Sequence, residues 1–112
     1  MLFFRRNPEG YSDIEPEEAK ALMDRGGAAV IDVREPGEFA AGHIEGAVNI
    51  PLGTIREGAM LAAFPDPERT LLVYCRSGRR SGIAGRILAA AGYKDVRNFG
   101  GVLQWPYGLV TD

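Results

Sequence analysis

Along this chain, short β-branched apolar runs alternate with segments of helical period. "YSDI" (11–14) reads as a short first strand, and "PEEAKALMDRGG" (16–27) as a helix. Pro16 suits the first helical position, acids fill the first turn, and Gly26 suits the stop. Ala19, Leu22 and Met23 fall on one face of that helix. "AAVIDV" (28–33) is a buried-strand run, followed by a short helix in "EPGEFAAG" (35–42) and a short strand in "GAVNIP" (46–51). Residues 54–64 give a weaker helical pattern through Ile55, Leu61 and Phe64. "TLLVYC" (70–75) is the clearest strand, apolar on both faces as a central parallel strand should be. A helix in "SGIAGRILAAAG" (81–92) would present Ile83, Ile87, Leu88 and Ala91 on one face and stop at Gly92. "DVRNF" (95–99) is the last strand, and "GGVLQW" (100–105) predicts a short helix before Pro106.

Strands alternating with helices predict an α/β fold: a central, mainly parallel sheet of about five strands, covered by helices on both faces. The 112 residues suit a single domain over 1–112, with residues 1–10 as an N-terminal extension. In such sheets ligands bind beyond the carboxyl ends of the strands. Cys75 stands at that end of the most strand-like run.

Charge sharpens this picture. The chain carries a net −2, which favours neither nucleic acid nor a membrane surface as a partner. Five of its 13 basic residues (Arg76, Arg79, Arg80, Arg86 and Lys94) fall between Thr70 and Lys94, where there is no acid. The remainder holds eight basic and 15 acidic residues, so the segment after Cys75 is a positive island in an acidic protein. The single cysteine excludes an internal disulfide, a C-x-x-C redox pair and a multi-cysteine zinc site. "MLFFRRNPEG" lacks the apolar core of a secretory signal, and no stretch has the length to span a bilayer, so a cytoplasmic location is expected.

A cysteine reacts as thiolate, and helix N-termini and neighbouring arginines lower its pKa. In "CRSGRRS" (75–81) a tight turn leads into a helix beginning near Ser81. Successive backbone N–H groups in such a turn converge on an anion, and the helix dipole adds positive potential. Gly78 permits positive φ, and the hydroxyls of Ser77 and Ser81 can donate to sulfur or to a bound anion. Arg76, Arg79 and Arg80 supply charge that can hold an oxyanion. Against this stands an inert buried thiol beside a solvated basic turn. Cysteine phosphatases place their anion-binding arginine six positions after the nucleophile; here position six is Ser81, and Arg80 is fifth. The shorter C-x4-R loop makes a smaller cup, better suited to a sulfur atom than to a tetrahedral phosphate.

These residues resemble the single-domain rhodaneses, a sulfurtransferase family. "CRSGRRS" fits the family's C-x-x-G-x-R-[ST] loop at every position. "VIDVREPGEFAAGHIEGAVNIPL" (30–52) is similar to its D-V-R…E-F…G-H-I-x-G-A-x-N-I-P segment, and "GGVLQW" to its closing G-G-x-x-x-W. The resemblance covers nearly the whole chain and implies a three-layer α/β/α domain. It also implies that Cys75 is the nucleophile and carries a persulfide in a double displacement without metal or organic cofactor. The donor would be thiosulfate or another small anionic sulfane, and the acceptor cyanide, a thiol or a protein thiol. Residues 76–81 would bind the substrate, with Arg76 and Arg79 recruiting it and Arg80 partly structural. Asp32 and Arg34 are expected to buttress the loop, Asp32 facing Arg80; the competing reading is a local ion pair beside the "EPGEF" helix. His43 suits a structural turn, since attack of a thiolate on sulfane sulfur needs no base. Trp105 is expected to pack, or to wall the pocket. Two other functions compete: a persulfide carrier serving a protein partner, and a cysteine phosphatase or arsenate reductase.

Overall fold

The structure, a computed structural model, describes residues 7–112. Of the N-terminal extension expected over 1–10, residues 1–6 lie outside the described residues, while residues 8–10 turn directly into the first strand. In chain order the elements are β1 (Tyr11–Asp13), α1 (Pro16–Arg25), β2 (Ala29–Asp32), α2 (Pro36–Ala41), β3 (Val48–Asn49), α3 (Leu52–Arg56), α4 (Ala59–Ala63), β4 (Leu71–Cys75), α5 (Arg79–Ala90) and β5 (Val96–Gly101). The five strands form one sheet in the order β1-β5-β4-β2-β3, and every pairing is parallel.

Side-chain alternation on β4 divides the core. Leu71, Val73 and Cys75 point into one cluster with Tyr11, Ile31, Ile55, Met60 and Leu88. Leu72 and Tyr74 point into the other, with Ala19, Val30, Ile44 and Phe99. Thus α3, α4 and α5 cover one face and α1 the other. Leu71, Leu72 and Val73 are wholly buried, and each such side chain contributes about 1.5–3 kcal/mol. This makes β4 the rigid central strand that ends on the cysteine.

Four local expectations need correction. The strand in 46–51 is only two residues long, because Pro51 and the turn into α3 leave the sheet at once. The helical pattern over 54–64 is broken at Glu57–Gly58 into α3 and α4, and Met60 rather than the exposed Leu61 enters the core. "GGVLQW" forms no helix: its glycines end β5, and two successive turns follow, Gln104 N–H to Gly101 O and Trp105 N–H to Val102 O.

The fourth concerns α5, which starts at Arg79 rather than near Ser81 and buries Ser81, Gly82, Ala84, Gly85, Leu88 and Ala89. Ile83 and Ile87 are half-buried and Ala91 is exposed. The large apolar residues mislead here because the helix meets the sheet through its small ones. A Cβ on Gly85 would lie 2.5 Å from the Tyr11 ring.

Candidate active site

Cys75 ends β4, and Gly78 caps α5, so Arg76–Gly78 is all the chain available to turn from sheet to helix. Gly78 makes the turn at φ 103, a conformation that side chains rarely adopt. Its N–H donates to Cys75 Sγ at 3.0 Å. The Ser81 hydroxyl lies 3.5 Å from the same sulfur. The thiol therefore faces the N-terminus of a twelve-residue helix whose dipole favours an anion there. Burial opposes ionisation of Cys75. Hydrogen bonds from the Ser81 hydroxyl and from the backbone N–H groups of Ser81, Gly78 and Ser77 outweigh it, and the thiol sits below its ordinary value.

The expected loop residues separate into groups. Arg76, Ser77 and Arg79 are exposed, and Arg76 and Arg79 form no ion pair among the described residues. Ser81 is wholly buried behind the sulfur. Arg80 is committed elsewhere: its Nη1 and Nη2 donate to the two carboxylate oxygens of Glu38 on α2, at 2.7 and 2.9 Å. Beside the loop lies a cleft of about 470 Å³, lined by Ser77, Gly78, Gly100 and Gln104 and by the segment Asp13–Glu17 entering α1.

The proposed contact between Asp32 and Arg80 does not form. Asp32 lies opposite Tyr74 in the parallel register, so it shares Tyr74's face of the sheet, not that of Cys75. It pairs instead with Arg34: Nε lies 3.1 and 3.0 Å from its two oxygens, and Nη2 donates to Oδ2 at 2.7 Å. Arg34 Nη2 also donates to Gly42 O at 2.7 Å, tying the pair to the end of α2. This is the local ion pair beside the "EPGEF" helix. His43 is likewise structural, its ring stacked 3.7 Å from Phe39 and its Nδ1 2.8 Å from Phe39 O. Trp105 packs on Phe99 and walls a different cavity, with Lys20, Ile44 and Tyr107.

Two residues absent from the sequence reading reach the loop. Glu38 was legible only as a helix residue of "EPGEF", since nothing local shows that its carboxylate crosses to Arg80. Asn98 follows Arg97 in "DVRNF", and two adjacent polar residues in a short strand do not show which of them turns inward.

The Arg80–Glu38 pair has a testable pH signature. The hydrogen bonds from Arg80 draw the Glu38 carboxyl from 4.5 to about 2. A depressed carboxylate contributes stability above its unfolded value and loses it as pH falls through the folded one. Both side chains are about one-third exposed, so the pair contributes about 1 kcal/mol after screening. Glu38→Gln should be less stable than wild type by that amount at pH 7, in urea unfolding. The gap should close between pH 4.5 and about 2; a gap that persists unchanged to the acid end would show that the ion pair is not its source.

The closing glycines matter for a different reason. The register slips between β4 and β5, Val73 facing Asn98 but Cys75 facing Gly101. The extra residue presses Gly101 against the cysteine loop, where a Cβ would lie 2.3 Å from Arg76 O and 2.4 Å from Cys75 O. Backbone cannot yield cheaply, so Gly101→Ala should displace the loop. A misplacement near 1 Å costs about 100-fold in rate, and the expected result is such a loss of activity at Cys75 in a protein that still unfolds cooperatively. A variant as active as wild type would show that the loop absorbs the methyl group.

The comparisons agree with this geometry. The family model described as "Rhodanese-like domain" matches residues 15–106. The chain is 46% identical over 72 residues to thiosulfate sulfurtransferase PspE of Escherichia coli, covering 64% of this chain and 68% of that protein. It is 35% identical over 96 residues to thiosulfate sulfurtransferase GlpE of Pseudomonas putida, covering 85% of this chain and 84% of that one. Among solved structures, "rhodanese with anions from E. coli" superposes with a TM-score of 0.70 at 40% identity, covering 76% of this chain and 99% of that one. A cysteine cup at the carboxyl edge of a five-stranded parallel sheet, matched along most of its length by that family model, places the chain in the rhodanese-like family.

Proposed function

We propose that this chain is a thiosulfate sulfurtransferase that works through a persulfide on Cys75. The carrying observation is a buried sulfur whose ionised form is favoured because backbone N–H groups and a helix N-terminus converge on it. In the first half-reaction the Cys75 thiolate attacks the outer sulfur of thiosulfate. A new S–S bond forms on Cys75 as the donor's S–S bond breaks, and sulfite leaves with the electron pair. In the second, cyanide or a thiolate attacks the terminal sulfur of the persulfide. The bond to Cys75 breaks, and the thiolate is restored with no net redox change. The loop N–H groups stabilise the negative charge that passes between the sulfurs. Arg76 and Arg79, exposed and without carboxylate partners among the described residues, draw the anionic donor to the loop.

That the matched E. coli rhodanese is described with anions supports an anion cradle here. The commitment of Arg80 to Glu38 weighs against phosphatase chemistry, which requires the loop arginine to grip phosphate oxygens. The reading extends to a small thiol, a protein thiol or cyanide as acceptor, and to the cytoplasm, where a lone thiol stays reduced. No helix among the described residues is long and apolar enough to cross a membrane.

The test is the intact mass of the protein under denaturing conditions after incubation with thiosulfate. One added sulfur atom is expected, removed by cyanide with release of thiocyanate. Hydrolysis of an aryl phosphate in the absence of any sulfur uptake would overturn the assignment.

A further inference from the structure

We propose that Asn98 is a positioning residue for sulfur transfer: from β5 it holds both the Ser81 hydroxyl and the Gly78 peptide in place at the Cys75 sulfur. This rests on the reading of Cys75 as the nucleophile.

Asn98 is buried on the Cys75 face of the sheet, its backbone in register with Val73. Its amide makes every hydrogen bond it can. Oδ1 accepts from Ser81 Oγ at 2.8 Å and from Gly100 N–H at 3.0 Å. Nδ2 donates to Gly78 O at 3.1 Å and to Tyr11 Oη at 3.2 Å. Gly100 N–H can only donate and Gly78 O only accept, so the amide cannot turn over without opposing like groups.

The Ser81 hydroxyl has one proton and three acceptors: Asn98 Oδ1 at 2.8 Å, Gly100 O at 3.3 Å and Cys75 Sγ at 3.5 Å. A proton shared between Asn98 Oδ1 and Sγ keeps the Ser81 hydroxyl facing the sulfur, and Oδ1 also holds the Gly100 N–H. Without Asn98 the hydroxyl settles on Gly100 O instead, and the thiolate loses that donor. The other arm acts on the loop. The Gly78 carbonyl is held by Nδ2 and by the first helical bond, from Gly82 N–H at 2.9 Å. That fixes the residue whose own N–H lies 3.0 Å from Sγ. Two of the donors that reach the sulfur, the Ser81 hydroxyl and the Gly78 N–H, are therefore braced by one side chain.

The charged groups around this thiol are Arg76, Arg79 and Arg80 on its own loop and Glu38 on α2. Beyond them lie the Asp32–Arg34 pair at the end of β2, Asp13 on β1, which accepts from Tyr11, Glu15 and Glu17 across the cleft at the start of α1, and Arg86 on α5 over the Tyr11 ring. Asn98 is neutral, so its removal changes donors and geometry while leaving those charges in place.

The test is the rate of Cys75 alkylation by iodoacetamide as a function of pH, which reads the thiolate without a sulfur donor. In Asn98→Ala the midpoint should rise by about one pH unit, with rates converging on wild type at high pH. In a Ser81→Ala background the same substitution should move the midpoint by less than half as much, because one arm is already gone. In wild-type protein, which needs no variant to fold, the Asn98 side-chain amide and Gly100 backbone amide NMR signals should titrate with the alkylation midpoint. An unmoved midpoint in a folded Asn98→Ala, an undiminished shift in the Ser81→Ala background, or amide signals indifferent to Cys75 ionisation would each overturn the proposal. Absence of sulfur uptake from thiosulfate would instead strike the sulfurtransferase reading alone.

Discussion

Cys75→Ser will gain no sulfur from thiosulfate, and its turnover will fall by at least about a thousandfold, to what the loop achieves without a nucleophile. The reason is ionisation. The loop draws Cys75 below the ordinary thiol range, but a serine hydroxyl starts far above that range, and a few hydrogen bonds cannot close the gap. Serine keeps the size and the acceptor of the native side chain, so Gly78 N–H retains a partner and the variant should unfold much as wild type does. Denaturation before mass measurement separates covalent sulfur from thiosulfate merely held by Arg76 and Arg79. A variant that acquires the same added mass as wild type would place the sulfur on another residue and remove the persulfide mechanism.

Most of the fold was legible because its signals are local. Each strand ends in a polar or glycine punctuation, and Pro16 and Pro36 open helices where the backbone donor is dispensable. The thiol and its loop were legible for the same reason, since the turn, the dipole and the arginines lie within seven consecutive residues, Cys75–Ser81. What failed depended on contacts across the sheet. Asp32 was assigned to Arg80 from its place at a strand end, but one step of the β alternation puts it on the far side, against Arg34. The face of α5 was read from its isoleucines. Close approach to the Tyr11 ring instead demands glycine and alanine there, and bulk in the sequence is then a poor guide to burial. Glu38 and Asn98 stand 42 and 17 residues from their partners Arg80 and Ser81, distances over which no periodicity operates.

The largest effect on stability is expected at Asp32, although that residue lies off the reacting face. Asp32 is wholly buried and Arg34 nearly so, and Asp32 Oδ1 also accepts the Arg34 backbone N–H at 2.8 Å. The pair sits where β2, β3 and α2 converge. Asn49 Nδ2 donates to the carbonyls of both residues, and Arg34 reaches Gly42 at the end of α2. Asp32→Asn leaves a guanidinium buried without its counter-charge, which destabilises by about 3–5 kcal/mol, a large share of the 5–15 kcal/mol typical of a domain. Urea unfolding should show that loss. Replacing both partners by apolar residues, Asp32→Leu with Arg34→Met, should recover much of it, because no buried charge is then left alone. The coupling to chemistry is indirect, through α2 to Glu38 and from Glu38 to Arg80. The folded fraction of Asp32→Asn should therefore keep the wild-type pH profile of Cys75 alkylation. A variant of unchanged stability whose thiolate midpoint has moved would mean that Asp32 acts on the sulfur directly, across a sheet whose register turns it the other way.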